Sequence, residues 1–289
     1  MDTRTVVAEP TEVHAVPVAP ETCANCAEPL VGPYCHACGQ SAADHLGSMR
    51  GLAAHVAEAA LQYDARVPRS ARALLTRPGT LTAEYLAGRR ARFVGPMQLY
   101  AAAAALLFLA GTVRPLVTFD PRTRWFRSGL GGLIGFANRL TEAEVARLAA
   151  RGISLELFGE RFVTAATGQL STFLLASVPL FALVVALVHW RARRPLPHHV
   201  VFALHWSAFF LLVMAVGQLL PTRFPRPVAT LLGLVVVGGT TAYLAVALRR
   251  TYGGRWPVVI LRAVLLMIAY QVILFVWLES VVGMARRGI

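Results

Sequence analysis

The sequence predicts an all-α polytopic membrane protein of about five transmembrane helices, preceded by a small cysteine-bearing module. Three observations predict it. Hydrophobic residues make up 56% of the 289 positions and charged residues 15%, against roughly 45–50% and about 25% in an average soluble domain. The apolar excess is gathered after position 96 into runs of about 20 residues, the length that crosses a bilayer at about 1.5 Å per residue. The four cysteines stand as Cys23-x-x-Cys26 and Cys35-x-x-Cys38, apart from those runs.

Four regions follow. Residues 1–22 read as a disordered tail, poor in aromatics and rich in proline, glutamate and small residues. Asp2, Glu9, Glu12 and the missing apolar core argue against a cleavable signal peptide. Residues 23–40 form the cysteine module, 41–95 basic juxtamembrane helices, and 96–289 the transmembrane domain. Its spans are expected at about 96–113, 168–189, 199–220, 228–248 and 256–284. Pro257 falls in the first turn of the last, where its missing N–H costs nothing.

The net charge is +13, and every basic residue other than histidine is arginine. The arginines cluster beside apolar runs, which suits membrane topology and anionic lipid better than nucleic acid. With five spans, Arg89, Arg90 and Arg92, the 191–194 cluster and the 249–255 cluster all fall on one side. That side is expected to be cytoplasmic, with the N-terminus inside and the C-terminus outside. The long loop 114–167 is translocated on this reading. Within it Thr141 and Glu144 form a capping-box pattern, Leu140 and Val145 a hydrophobic staple, and Gly152 a stop, so a short helix is expected over 142–151. The apolar stretch 129–138 is too short to span and is expected to lie in the interface.

Each C-x-x-C pair makes a knuckle whose thiolates face one point, and two knuckles complete a tetrahedral four-sulfur site. A segment this short cannot bury a core, so a structural zinc ion, Zn2+, held by Cys23, Cys26, Cys35 and Cys38 would supply most of its folding free energy. Cytosolic placement disfavours disulfides. Iron–sulfur and redox roles remain as alternatives. His36 is expected to be exposed, since four thiolates fill the site.

The segments "CANCAEPLVGPYCHACGQ", "LLTRPGTLTAEYLAGRRARFVGPMQLY" and "HHVVFALHWSAF", in that order, resemble a bacterial membrane family known as domain of unknown function 3667. The resemblance implies an N-terminal zinc ribbon, a multi-span membrane domain and a bacterial inner-membrane location. It implies no activity. His198 and Ser207 stand where the family often has an acidic residue and a further histidine.

Inside the membrane, polar and ionisable side chains need a reason, because each is costly there. His199, His205 and Arg262 are the candidate intramembrane site, with His205, Arg262 and Tyr100 expected at similar depth. Gln169, Gln218 and Glu279 are candidates for a second layer near the opposite face. Arg262 and Glu279 can also snorkel, and a buried histidine can be structural glue between helices. Leu81, Tyr85 and Leu86 give the juxtamembrane helix an apolar side. It is expected to lie on the lipid surface, with Arg89, Arg90 and Arg92 against anionic head groups.

No P-loop, dinucleotide fingerprint, nucleophile elbow or metalloprotease motif occurs. The leading expectation is therefore a non-enzymatic membrane adaptor or scaffold, whose zinc module docks a cytosolic protein or organises the juxtamembrane helices. A small-solute transporter using His205 and Arg262 is the alternative. An intramembrane enzyme is the weaker one.

Overall fold

A computed structural model describes residues 21–42, 49, 66–114, 117–128, 138–219 and 226–287. The tail, most of 41–65 and the apolar stretch 129–137 lie outside the described residues. The chain forms two compact units, Met1–Ala43 and Asp44–Ile289.

The second unit is a helical membrane fold, and five of its helices are long and apolar enough to cross a bilayer. It begins with two short helices, α1 (Val67–Thr76) and α2 (Thr80–Leu86). The first candidate span is α3 (Pro96–Val113), opened by a proline whose absent N–H is no loss in a first turn. Then come strands β1 (Val117–Asp120), β2 (Trp125–Ser128) and β3 (Asn138–Arg139), and helix α4 (Glu142–Ala150). The remaining spans are α5 (Leu155–Val188), α6 (Leu196–Leu219), α7 (Arg226–Tyr252) and α8 (Trp256–Arg287).

α6 is the central helix. Its apolar window is 72% buried, against 28–39% for the other four, and every residue from 201 to 211 is buried. α3 and α5 pack along it, and α5 and α7 in turn pack on α8. In lipid, helices gain little from hiding apolar surface, so close packing and hydrogen bonds hold such a bundle. Here aromatic rings do much of this. Phe209 of α6 stacks on Tyr243 of α7 at 3.6 Å, and Tyr270 of α8 meets Phe181 and Phe210 edge-on.

The apolar side of the juxtamembrane helices is packed on other helices. α1 and α2 form a wedge packed against α6 and α7, and Leu74, Leu81 and Val94 belong to the main core. Three bonds pin α1 and its approach to α3. Val94 N–H donates to Ser70 Oγ at 3.0 Å, Ser70 Oγ to Arg66 O at 2.9 Å, and Arg66 Nη1 to Ala91 O at 2.6 Å. Gly79, at φ 73°, turns the chain from α1 into α2. A Cβ there would stand 2.7 Å from Ala247 Cα, so only glycine permits this approach to α7. Arg250 of α7 closes the contact, donating to Pro78 O at 2.7 Å and Thr80 Oγ1 at 2.6 Å.

The loop between the first two spans is more folded than a linker. β1 pairs antiparallel with β2 in the register Val117↔Ser128 to Asp120↔Trp125, and β2 pairs with β3. This small sheet was not foreseen in the sequence. α4 starts at the expected capping box: Thr141 N–H donates to Glu144 Oε2 at 2.7 Å and Glu144 N–H to Thr141 Oγ1 at 3.3 Å. It stops before Gly152, at φ 66°. α5 starts at Leu155, well before the expected position 168. Its extra turns carry Phe158 and Phe162 into a second core with Val117, Leu140, Leu148, Leu278 and Val281.

Candidate functional site

The first unit repeats one structural motif at an interval of twelve residues. Cys23 N–H donates to Glu28 O at 2.8 Å, and Cys35 N–H to Gln40 O at 2.9 Å. Ala27 N–H reaches Cys23 O, and Gly39 N–H reaches Cys35 O, each at 2.8 Å. The bridges Thr22↔Pro29 and Tyr34↔Ser41 flank the two turns at the same offset. Each turn needs a left-handed residue just after its second cysteine. Gly39 fills that place at φ 71°, but Ala27 fills it at φ 62° with a Cβ to accommodate.

The repeat converges four thiols. All four Sγ atoms lie within 4.8 Å of one another. Cys23 Sγ is 3.6 Å from Cys38 Sγ, and Cys26 Sγ is 3.5 Å from Cys35 Sγ. These spacings are far beyond a disulfide bond of about 2.0 Å. They match the edge of a tetrahedron of about 3.8 Å that a metal–sulfur distance of about 2.3 Å implies. The residues therefore fit a metal ion in a closed site. Hydrogen bonds from the N–H groups of Cys26 and, less strongly, Asn25 help lower the Cys23 thiol to about 7. Against a hydrogen bond from the Glu28 N–H, burial and the three other thiols push Cys26 up to about 12, so a metal must displace the proton that Cys26 keeps. His36 is exposed and stands 3.8 Å from Glu28, outside the sulfur set.

In the membrane unit, His205 is 4% exposed and about 14 Å along α6 from its start. Its Nδ1 lies 3.0 Å from Oγ1 of Thr82, on the wedge helix α2. Beside this pair Trp206 Nε1 has no hydrogen-bond partner among the described residues. The three residues line a cavity of about 10 Å³, room for one water. His199, at the start of α6, bonds instead to Tyr252: Nδ1 and Oη are 2.9 Å apart. The expected layer of His205, Arg262 and Tyr100 does not form as a hydrogen-bonded cluster. Tyr100 donates to Leu174 O at 2.8 Å, while His205 is paired with Thr82.

His189 was missed in the sequence because it ends an apolar run, where a histidine reads as interfacial. It is 3% exposed, and its ring stacks on Tyr252 at 4.1 Å. Its Nδ1 lies 3.1 Å from Val185 O, one turn back in α5.

The other candidates are dispersed. Gln218 donates to Arg114 O at 3.3 Å and Gln169 to Met284 Sδ at 3.0 Å, so these two do not share a bond. Glu279 is half-buried in α8. Arg89 is held by both oxygens of Glu84, at 2.6 and 2.7 Å. Arg90 lies 5.0 Å over the Tyr85 ring, and Arg92 is exposed.

No curated protein and no solved structure matches the chain. Residues 64–108 match a family described as a protein of unknown function, DUF3667. That stretch contains the wedge, with Gly79 and Thr82, and most of α3. The match supports the family over this stretch. The chain itself carries five helices long and apolar enough to cross a membrane and a four-cysteine cluster able to hold a metal ion.

Proposed function

We propose that the protein is a membrane-embedded adaptor whose zinc module docks a protein partner in the cytosol, and that it catalyses no reaction. The observation that carries this reading is the closed four-thiol set in a unit separate from the membrane unit. A zinc ion held by Cys23, Cys26, Cys35 and Cys38 would have no open position for a substrate, so its work is to fold the module. Val31 and Tyr34, 89% and 66% exposed, offer that module an apolar contact for a partner. The juxtamembrane helices are already held by α6 and α7, which supports docking over a role in organising them. On this reading the chain sits in a bacterial inner membrane with its N-terminus in the cytosol. Arg90 and Arg92 then face anionic head groups, while Arg89 is committed to Glu84. The Thr82 bond gives His205 a structural reason to be buried, so no observation favours a solute path through it.

Replacing Cys23 and Cys26 with serine tests the reading. The full chain should still insert in the membrane but lose its zinc and its cross-linked cytosolic partner. An unchanged cross-linking profile in a metal-free variant would overturn it.

A further inference from the structure

Between Glu160 and Glu279 the sequence holds ten arginines and neither aspartate nor glutamate. The nine from Arg191 to Arg262 have no acidic neighbour in sequence, and Arg191, Arg194 and Arg249 stand at one end of the bundle, beside Trp190, Tyr252 and Trp256. α5 ends at Val188 with His189 as its cap, and a tight turn, Trp190–Ala192, leads by way of Arg193 and Arg194 into α6. α7 ends opposite, at Tyr252, and α8 begins at Trp256.

Tyr252 organises this end of the bundle. His189 stacks on its ring at 4.1 Å, His199 bonds its hydroxyl at 2.9 Å, and the Arg194 guanidinium lies 5.1 Å over the ring. Arg262 stands one turn and a half into α8 from Trp256, towards the same end of the bundle. Arg262 is half-buried, and Glu279 of the same helix is about 25 Å away along the axis. A guanidinium laid flat on a ring uses its face. Its edge keeps the N–H donors that pair side by side with phosphate oxygens. Arg194 is thus oriented with its donors uncommitted to the ring. The depth is also marked. Arg191 lies 5.2 Å over Trp190 and Arg249 lies 4.2 Å over Trp256. Both tryptophans are exposed, at 67% and 42%, as rings at head-group level are. Basic pockets between spanning helices at this level suit acidic lipid head groups.

We propose that the end of the bundle where α5, α6, α7 and α8 meet binds the phosphate of an anionic phospholipid head group. Arg194 and Arg262 are its cationic contacts, and Tyr252, held by His199, positions Arg194. The site is independent of the zinc module and of whatever that module docks. A free phosphate ester shares the recognised group, but the flanking tryptophans favour the lipid.

The test uses the full chain in neutral detergent, with phosphatidylglycerol, phosphatidylcholine or inorganic phosphate added. Retained lipid is read by native mass spectrometry and thermal unfolding is followed in parallel. Phosphatidylglycerol should be retained and should raise the unfolding temperature more than phosphatidylcholine does. The double variant Arg194→Gln, Arg262→Gln should retain about tenfold less and lose most of that increment. Arg194→Gln alone, in a turn outside the helices, should lose about threefold, which keeps the test open if the double variant does not fold. Arg122→Gln with Arg147→Gln, outside the site, should behave as the parent. Equal retention of both lipids, or an Arg194→Gln variant that retains phosphatidylglycerol like the parent, would overturn the site. An equal thermal increment from millimolar inorganic phosphate alone would overturn the lipid assignment in favour of a soluble phosphate ligand.

Discussion

The two turns of the cysteine module make opposite substitutions informative. Ala27 and Gly39 occupy equivalent places twelve residues apart, both left-handed, at φ 62° and 71°. A side chain in that region costs about 1–2 kcal/mol. Glycine there gives back about 0.5–1 kcal/mol through its freer unfolded chain. The net is about 0.5–1 kcal/mol in favour of glycine at either place. In a module that folds on its metal, this free energy appears in metal affinity. Ala27→Gly should therefore tighten zinc binding by about 2- to 5-fold, and Gly39→Ala should weaken it by about the same factor. Competition between the full chain and a chromophoric chelator measures both. Nothing lies within 4 Å of a Cβ at Gly39, so backbone conformation alone is being tested. If Ala27→Gly weakens binding while Gly39→Ala leaves it unchanged, the equivalence of the two turns is wrong.

Three further outcomes are expected. Gly79→Ala combines left-handed strain with a Cβ 2.7 Å from Ala247 and should cost about 2–4 kcal/mol; thermal unfolding of detergent-solubilised protein measures this, and parent-like stability would show that the wedge does not sit on α7. Thr82→Val and His205→Phe should each destabilise, since each strands a buried polar partner, and the double variant should recover about 1 kcal/mol of the summed loss. Strict additivity in that cycle would mean that the bond carries no energy. Acidification should release the metal from the cysteine module, because each thiolate must take up a proton; metal content of dialysed protein that stays constant to pH 4 would exclude a thiolate site.

Features set by near neighbours in the chain were legible in the sequence. Thr141, Glu144 and Gly152 announce α4 because a cap and a stop are decided within a turn of the helix. The four cysteines announce their site because the knuckle is local. Apolar runs announce the spanning helices because bilayer thickness fixes their length. What was not legible depends on partners far away. Leu81 and Tyr85 give α2 an apolar stripe, and a stripe looks the same whether it meets lipid or other helices. Thr82 and His205 are 123 positions apart, and nothing in either neighbourhood points to the other. β1 to β3 are too short for alternation to show, and the left-handed turn at Ala27 carries no glycine to betray it.

The wedge also bears on how the chain matures. Leu74 and Leu81 leave the ribosome long before the third and fourth spans that cover them. Until α6 and α7 are inserted, the α1–α2 hairpin has no finished receptacle, so its docking belongs to the last steps of assembly. A polypeptide stopped after the first span would show those leucines and Gly79 to solvent, and such a product is a natural substrate for quality-control proteases.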